Sequence, residues 1–259
     1  MNIGIIGTGN IATYLLEQVN VNRLVDGQVI AFFGRNKEVG PRLSKQYDVS
    51  FYTDFQEFLN TPLDIVVEAS TIEAASLYVE GVVAHKKDLV VSSIGVFKDI
   101  DFLDKVKKLA ASSGTIVFLP SGAIGGLDVL QSAKAAGGLK QVQITTRKSP
   151  ASLGIESDEE KVVFEGTAYQ AVEKLPKNIN VALVLAIAGI GAKKTKVRVI
   201  VDPSVTQNSH TIEAEGDFGR MELKVENNPM PSNPKTSLLA ALSILSVLQN
   251  KESALRIGN

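Results

Sequence analysis

A chain of 259 residues that is 44% hydrophobic has enough apolar side chain for two packed domains. Its net charge of −1 and few aromatics exclude a general electrostatic or base-stacking grip on nucleic acid. With no cysteine, disulfides, thiolate catalysis and cysteine-held zinc are excluded too. No apolar run reaches the length of a membrane span, and the longest, Val181 to Ile190, contains Gly189. The first residues carry no basic or apolar leader, so a soluble, cytoplasmic protein is expected.

The stretch Asn2 to Leu16 reads as strand, tight glycine turn and helix. Ile3, Ile5 and Ile6 form a short β-branched run, which Gly7-Thr8-Gly9 breaks. Asn10 is the expected N-cap, and Ile11, Ala12, Leu15 and Leu16 follow at helical spacing. The pattern G-x-G-x-x-A is a dinucleotide-binding fingerprint. Gly7 permits the turn, and Gly9 lets the backbone approach a pyrophosphate. The helix start at Asn10 and Ile11 offers free N–H groups to it, and Ala12 lets the helix lie close to the strand. Gly7, Gly9, Asn10 and Ile11 are therefore candidate cofactor-binding residues, with an ordinary strand–helix turn as the plain alternative.

Gln28 to Phe33 is the second predicted strand, ending in Gly34-Arg35-Asn36. An acidic residue here would accept from a ribose 2′-hydroxyl and favour NAD, whereas an arginine accommodates a 2′-phosphate. Arg35 tilts the cofactor toward NADP, with Asn36 and Lys37 as possible aids; a surface arginine in a solvated turn is the alternative. Phe51-Tyr52 reads as a short edge strand, followed by a small helix, Asp54 to Leu59. Asp64 to Ala69 reads as a buried strand. Ser70 and Thr71 at its end are candidate ribose or nicotinamide neighbours, and at least one is expected to cap the next helix. A strand from Asp88 to Ser92, a helix from Asp99 to Ser112 and a strand from Thr115 to Leu119 complete an alternating, parallel pattern.

The rhythm changes at Pro120. A glycine-rich loop, Pro120 to Asp128, enters a helix reaching about Ala136. Longer strands follow: Gln141–Arg147, Lys161–Glu165, Thr195–Val201, Ser209–Glu215 and Arg220–Val225. Several alternate apolar and polar, the mark of a sheet with one wet face. Thr167–Leu175 and Asn180–Ala188 read as helices. Asn233-Pro234-Lys235-Thr236-Ser237 is expected to open a final helix running to about Gln249, whose apolar face returns to the first domain. The expected architecture is α/β: a doubly wound parallel sheet of Rossmann type over residues 1–120 plus 234–259, and an α+β domain with a mostly antiparallel sheet over 121–233, carrying the substrate site and the dimer contact.

The chain has two histidines. His85 sits beside Lys86-Lys87 and is expected at the surface. His210, at the start of a second-domain strand, is the outstanding proton acceptor, because an unperturbed imidazole titrates near pH 6.5. A structural histidine at a strand start is the alternative. Thr236 and Ser237 would offer hydroxyls and N–H groups at a helix start, and Lys235 a charge, so Lys235, Thr236 and Ser237 are candidate carboxylate-binding residues; ordinary capping is the plain reading. No metal is expected, because the acidic residues lack convergent spacing. No phosphate-loop lysine follows the first glycine turn.

Several stretches, taken together, resemble one family: GTGNIA near the start, EAS at Glu68–Ser70, FLPSGAIGGLDVLQS from Phe118, FEG at Phe164–Gly166, KNINVA from Lys177, VDP at Val201–Pro203, NSH at Asn208–His210 and NNPMPSNPKTSLLAALS from Asn227. They are similar to the L-aspartate dehydrogenases of the NAD-biosynthesis route. The resemblance implies a two-domain homodimer. It would take L-aspartate, NAD(P)+ and water to oxaloacetate, ammonia and NAD(P)H through iminoaspartate, reversibly. It implies that His210 is catalytic, accepting a proton or activating water, and that Ala123 and Asn208 contact the cofactor. Family members commonly carry an acidic residue where this chain has Gly34, which again leans the reading toward NADP. A rival enzyme would be another two-domain NADP-dependent oxidoreductase acting on an imine, semialdehyde or sugar. A rival from a different class is a non-catalytic nucleotide-binding regulator, which needs the glycine turn but not His210.

Overall fold

The computed structural model describes residues 1–175, 179–231, 233–255 and 257–258; the side chains of Pro234 and Lys235 lie outside that description. The chain forms two compact units. One is Met1–Pro120 with Ile244–Ala254, and the other is Ser121–Ser243 with Leu255–Asn259.

In the first unit the strands are β1 (Asn2–Ile6), β2 (Gln28–Phe33), β3 (Ser50–Tyr52), β4 (Ile65–Glu68), β5 (Asp88–Val91) and β6 (Val117–Phe118). The helices between them are α1 (Asn10–Leu16), α2 (Val39–Tyr47), α3 (Phe55–Leu59), α4 (Ile72–Ala84) and α5 (Ile100–Ser113). The sheet order is β3-β2-β1-β4-β5-β6 and the pairs are parallel. This is the doubly wound, Rossmann-type order, whose direction reverses between β1 and β4. Buried on both faces, β4 is an unbroken Ile-Val-Val-Glu run with every residue at 0% exposure. One side of the sheet packs Ile3, Ile5 and Val67 with Leu15 and Leu16. The other gathers Phe33, Phe55, Phe58 and Tyr78, with ring centroids 4.6–6.3 Å apart. The edge strand β3 and the small helix α3, capped by Asp54, stand where the sequence puts them. Helix α2 had no counterpart in the sequence reading, because Gly40 and Pro41 in its first turn hide its period.

The second unit holds α6 (Leu127–Ala135), β7 (Leu139–Lys148), α7 (Pro150–Leu153), β8 (Lys161–Thr167), α8 (Ala168–Lys174), α9 (Asn180–Ala188), β9 (Lys196–Val201), β10 (Asn208–Gly216) and β11 (Gly219–Asn227). Its sheet runs β11-β10-β7-β9-β8, antiparallel except for the pair β7–β9. Alternation sorts the faces. Val142, Ile144, Ile212, Ala214, Val197 and Val199 are buried on one. Gln143, Glu213, Arg220 and Glu222 occupy the other, where Arg220 bridges Glu213 and Glu222 at 3.3 Å.

The end of the chain departs from expectation. Asn233–Ser237 is not a helix start but a strand, β13, paired with β12 (Pro229–Met230), and the helix α10 begins only at Leu238 and runs to Asn250. Of the C-terminal segment expected in the first domain, Ile244–Ala254 belongs to the first unit, and the strand pairing keeps residues before it in the second. Ile244, Leu245 and Leu248 join the first unit's core at 4% exposure or less. Burying each is worth about 1.5–3 kcal/mol.

Gly7 is held at φ +126°, and a Cβ there would stand 2.4 Å from the Ala69 carbonyl oxygen. Gly9 has extended backbone, and a Cβ there meets nothing within 4 Å. Gly7→Ala is therefore expected to cost the first unit about 2–3 kcal/mol, lowering its calorimetric Tm, while Gly9→Ala leaves that Tm in place. Equal transitions for the two variants would contradict this assignment of strain.

Candidate functional site

In the first unit, the turns after β1, β2 and β4 line a cleft of about 310 Å³ beside the point where strand order reverses. Gly7, Thr8 and Gly9 form one wall, Gly34 and Arg35 another, and Ser70 and Thr71 a third. The cap of α1 is Gly9, not Asn10: the Gly9 carbonyl accepts from the Thr13 N–H at 3.0 Å, and Asn10 is the first helical residue. Ile11 follows in that first turn, half-buried. The open space over Gly9 and the uncapped helix start suit an anion such as a pyrophosphate. Arg35 is exposed at the rim. Asn36 is committed elsewhere, since its Oδ1 accepts from the Glu38 and Val39 N–H groups and starts α2. Gly34 is small for a steric reason. A Cβ there would stand 2.6 Å from the Thr8 methyl, so an acidic side chain at 34 would have to displace Thr8.

Ser70 and Thr71 divide the roles expected of them. Thr71 caps α4, its Oγ1 accepting from the Ala74 N–H at 3.2 Å. Ser70 turns to Glu68. Its N–H and hydroxyl both donate to Glu68 Oε1, at 2.8 and 2.7 Å. From the end of β5, the Ser93 N–H donates to Glu68 Oε2 and the Ser93 hydroxyl to Oε1, each at 2.9 Å. Four donors surround one fully buried carboxylate, the condition under which such a group is tolerated. Glu68 thus ties the turn after β4 to the turn after β5. Sequence reading did not single it out; the available signal was an acid ending a run otherwise buried and aliphatic.

The second unit holds a separate polar cluster. β10 begins Asn208-Ser209-His210, and antiparallel register sets His210 opposite Thr146 of β7 and Val225 of β11, and Asn208 opposite Asn227. His210 is 2% exposed, and its Nδ1 lies 2.9 Å from Thr146 Oγ1. Lys148, two residues beyond Thr146 on the same face, is 8% exposed. Burial, and then the Lys148 charge, push the His210 imidazole down to about 3; burial pushes the Lys148 ammonium down to about 8. At neutral pH the imidazole is neutral and the ammonium charged. On the opposite face, Arg147 pairs with Asp202 at 2.5 Å and Glu160 at 2.6 Å. The Asp202 N–H donates to the Lys148 carbonyl at 2.9 Å, closing the end of β9 onto β7. The Ser204 hydroxyl and N–H, with Arg147, hold the Asp202 carboxyl below its usual range.

The glycine-rich loop joins this cluster. The Ala123 carbonyl accepts from Asn227 Nδ2 at 3.0 Å, and the Gly122 N–H donates to Ser243 Oγ at 3.1 Å. Asn227 is 3% exposed, and its Oδ1 is buried without a hydrogen-bond partner among the described residues. Ala123, Asn208 and His210 therefore lie in one region of the second unit, Ala123 joined through Asn227 to the strand register that holds Asn208 and His210. Thr146, Lys148 and Asn227 were missed. Alternation along β7 holds the signal for Lys148, but only once the strand is extended one residue past Arg147.

Lys235 and Thr236 lie on β13 and not in a helix, while Ser237, the last residue of β13, directly precedes α10. Thr236 Oγ1 accepts from Asn233 Nδ2 at 3.0 Å, and Ser237 is buried on β13 opposite Pro229. The Lys235 side chain lies outside the described residues, as do Ser232 within the last family stretch and Lys177 and Asn178, with which another begins. His85 is exposed, as expected, and its Nδ1 meets the Gly81 carbonyl at 2.8 Å. Among the described residues no cluster of metal-ligating side chains occurs, and no helix is long and apolar enough to cross a membrane.

Comparison with known proteins adds the family. Residues 128–251 match the family described as aspartate dehydrogenase, C-terminal, and residues 7–120 match homoserine dehydrogenase, NAD binding domain. An L-aspartate dehydrogenase from Methanococcus maripaludis is 35% identical, the alignment covering 100% of this chain and 99% of that protein. One from Archaeoglobus fulgidus is 37% identical, covering 98% and 99%. The crystal structure of aspartate dehydrogenase from Thermotoga maritima matches with a TM-score of 0.84 at 33% identity, covering 100% of this chain and 99% of that one. Scyllo-inositol dehydrogenase from Lactobacillus casei, crystallised with NAD(H), covers 97% of this chain and 88% of its own at a TM-score of 0.58 and 11% identity, a likeness of fold alone. With this identity sustained along its whole length, the chain belongs to the aspartate dehydrogenase family.

Proposed function

We propose that this protein is an L-aspartate dehydrogenase, converting L-aspartate, water and NAD(P)+ to oxaloacetate, ammonia and NAD(P)H through iminoaspartate. The observation that carries this reading is the buried pair His210 and Lys148 at the polar end of an otherwise aliphatic sheet face. When bound, the pyridine nucleotide supplies hydride transfer at the substrate α-carbon. The cleft lined by Gly7, Thr8, Gly9 and Ser70 fits its pyrophosphate, and Asn10 and Ile11, which open the helix after Gly9 but do not line the cleft, are the proposed N–H donors. Ala123 and Asn208 are the contacts assigned to the nicotinamide end, the first braced by Asn227. On the same family reading we propose a homodimer, with the imine product feeding NAD biosynthesis.

His210 is the proposed proton acceptor. In the tautomer proposed for the reaction Nδ1–H donates to Thr146 Oγ1, which leaves the Nε2 lone pair to accept a proton. Burial keeps the imidazole neutral and its lone pair available at neutral pH, at the cost of lower basicity. A proton it has accepted is also readily released.

Steady-state assay of the purified protein tests the activity: aspartate-dependent NAD(P)H formation with release of ammonia is expected, and its absence overturns the reading. His210→Ala is expected to lower kcat by roughly 10²–10⁴ while cofactor Kd stays within about twofold; near-normal kcat would remove His210 from the chemistry. Glu68→Gln places an amide N–H₂ among four donors. It is expected to raise cofactor Kd about tenfold and lower the first unit's Tm, and unchanged values for both would refute the bracing role. Arg35 supports a preference for NADP+. Arg35→Ala is expected to weaken NADP+ by about tenfold or more and spare NAD+, so equal loss for both cofactors would argue against a 2′-phosphate contact.

A further inference from the structure

Along β7 the covered face reads Val142, Ile144, Thr146, Lys148. It passes from hydrocarbon to hydroxyl to ammonium at the end of the sheet where β10 places Asn208 and His210 and β11 places Asn227. An ammonium in such a setting, with three N–H donors and little water to screen it, acts strongly on an anionic group brought beside it. The backbone fixes where that charge stands, since the Lys148 carbonyl accepts the Asp202 N–H, and Asp202 is itself clamped by Arg147 and Ser204. Two residues along a strand are about 6.6 Å apart. Thr146, opposite and bonded to His210, is two residues from Lys148. The ammonium therefore lies near the imidazole, and its charge is felt there.

A second, independent observation marks the same cluster as built for a ligand. Asn227 Oδ1 is buried without a partner among the described residues, although its amide nitrogen is spent on Ala123. A native interior rarely leaves such an acceptor unmet unless something else supplies the donor. Aspartate carries both kinds of complement, carboxylates for a cation and an N–H-bearing α-nitrogen for an acceptor.

We propose that Lys148 is the residue that binds a carboxylate of the substrate, setting the short dicarboxylate chain beside His210. This moves the carboxylate contact from Lys235, Thr236 and Ser237 to the sheet. It rests on the aspartate dehydrogenase reading, so the test must separate binding from turnover. Succinate serves as the probe, because it offers two carboxylates and no amine to oxidise. Lys148→Met and Lys148→Arg are compared with the parent enzyme for the succinate inhibition constant, KM for aspartate, kcat, and NADPH affinity by fluorescence. Lys148→Met is expected to raise the succinate constant and KM at least about 30-fold, with NADPH affinity within about twofold. Lys148→Arg, which keeps the charge, is expected to recover part of the loss and shows that the site tolerates substitution if the methionine variant folds poorly. An unchanged succinate constant in a folded Lys148→Met protein overturns the proposal, and so does a fall confined to kcat. Failure of the parent enzyme to oxidise aspartate while succinate still binds through Lys148 would sink the activity and leave this contact standing.

Discussion

Placing an imidazole and an ammonium on the hydrocarbon face of a sheet is the constraint on which the second unit's chemistry depends. Val142, Ile144, Ile212 and Ala214 make that face dry, and dryness sets the state of the groups at its end. A charge near His210 and the loss of water around it act in the same direction, so the ring stays neutral where a free imidazole would begin to protonate. Thr146 fixes one ring nitrogen, and the β7–β10 register fixes Thr146. Thr146 gives the ring the orientation that a carboxylate gives it in a serine-protease triad, without that carboxylate's negative charge.

The first unit answers a parallel problem with the opposite charge. The loops that line its cleft sit at the ends of parallel strands, where turns have few backbone partners of their own. Glu68 at the end of β4 supplies acceptors for the turns on both sides, gathering Ser70 and Ser93 onto one carboxylate. Gly7 contributes by allowing the β1 turn to run against Ala69, and Gly34 by leaving room for Thr8. The shape of the cleft is thus a consequence of one buried acid and two missing side chains.

Much of this was legible in the sequence, because period and composition speak directly to buried strands. The strand read over Asp64–Ala69 is present as Ile65–Glu68, and the alternation through Ile212 and Ala214 and the helix from Asn180 to Ala188 stand as read. The glycine fingerprint located the cleft, although the cap proved to be Gly9. What failed was local ambiguity. Asn233-Pro234 imitates a helix N-terminus, where proline is favoured, yet a two-stranded ribbon has only edge strands, and proline is tolerated there too. Only the pairing with Pro229–Met230 decides, and it lies outside any local pattern. Glu68 and Asn227 were opaque for a similar reason. Their partners, Ser93 and Ala123, are 25 and 104 residues away. Lys148 was lost to a strand boundary set one residue short.

The most direct test of the central claim is the protonation state of His210 itself. The chain has two histidines, so His85→Gln leaves a single imidazole to follow by nitrogen-15 NMR across pH. The ring is expected to stay neutral through pH 5, well below the ordinary midpoint near 6.5, with Nδ1 perturbed by Thr146→Val. An imidazole that protonates near pH 6.5 would contradict a buried acceptor held neutral beside Lys148.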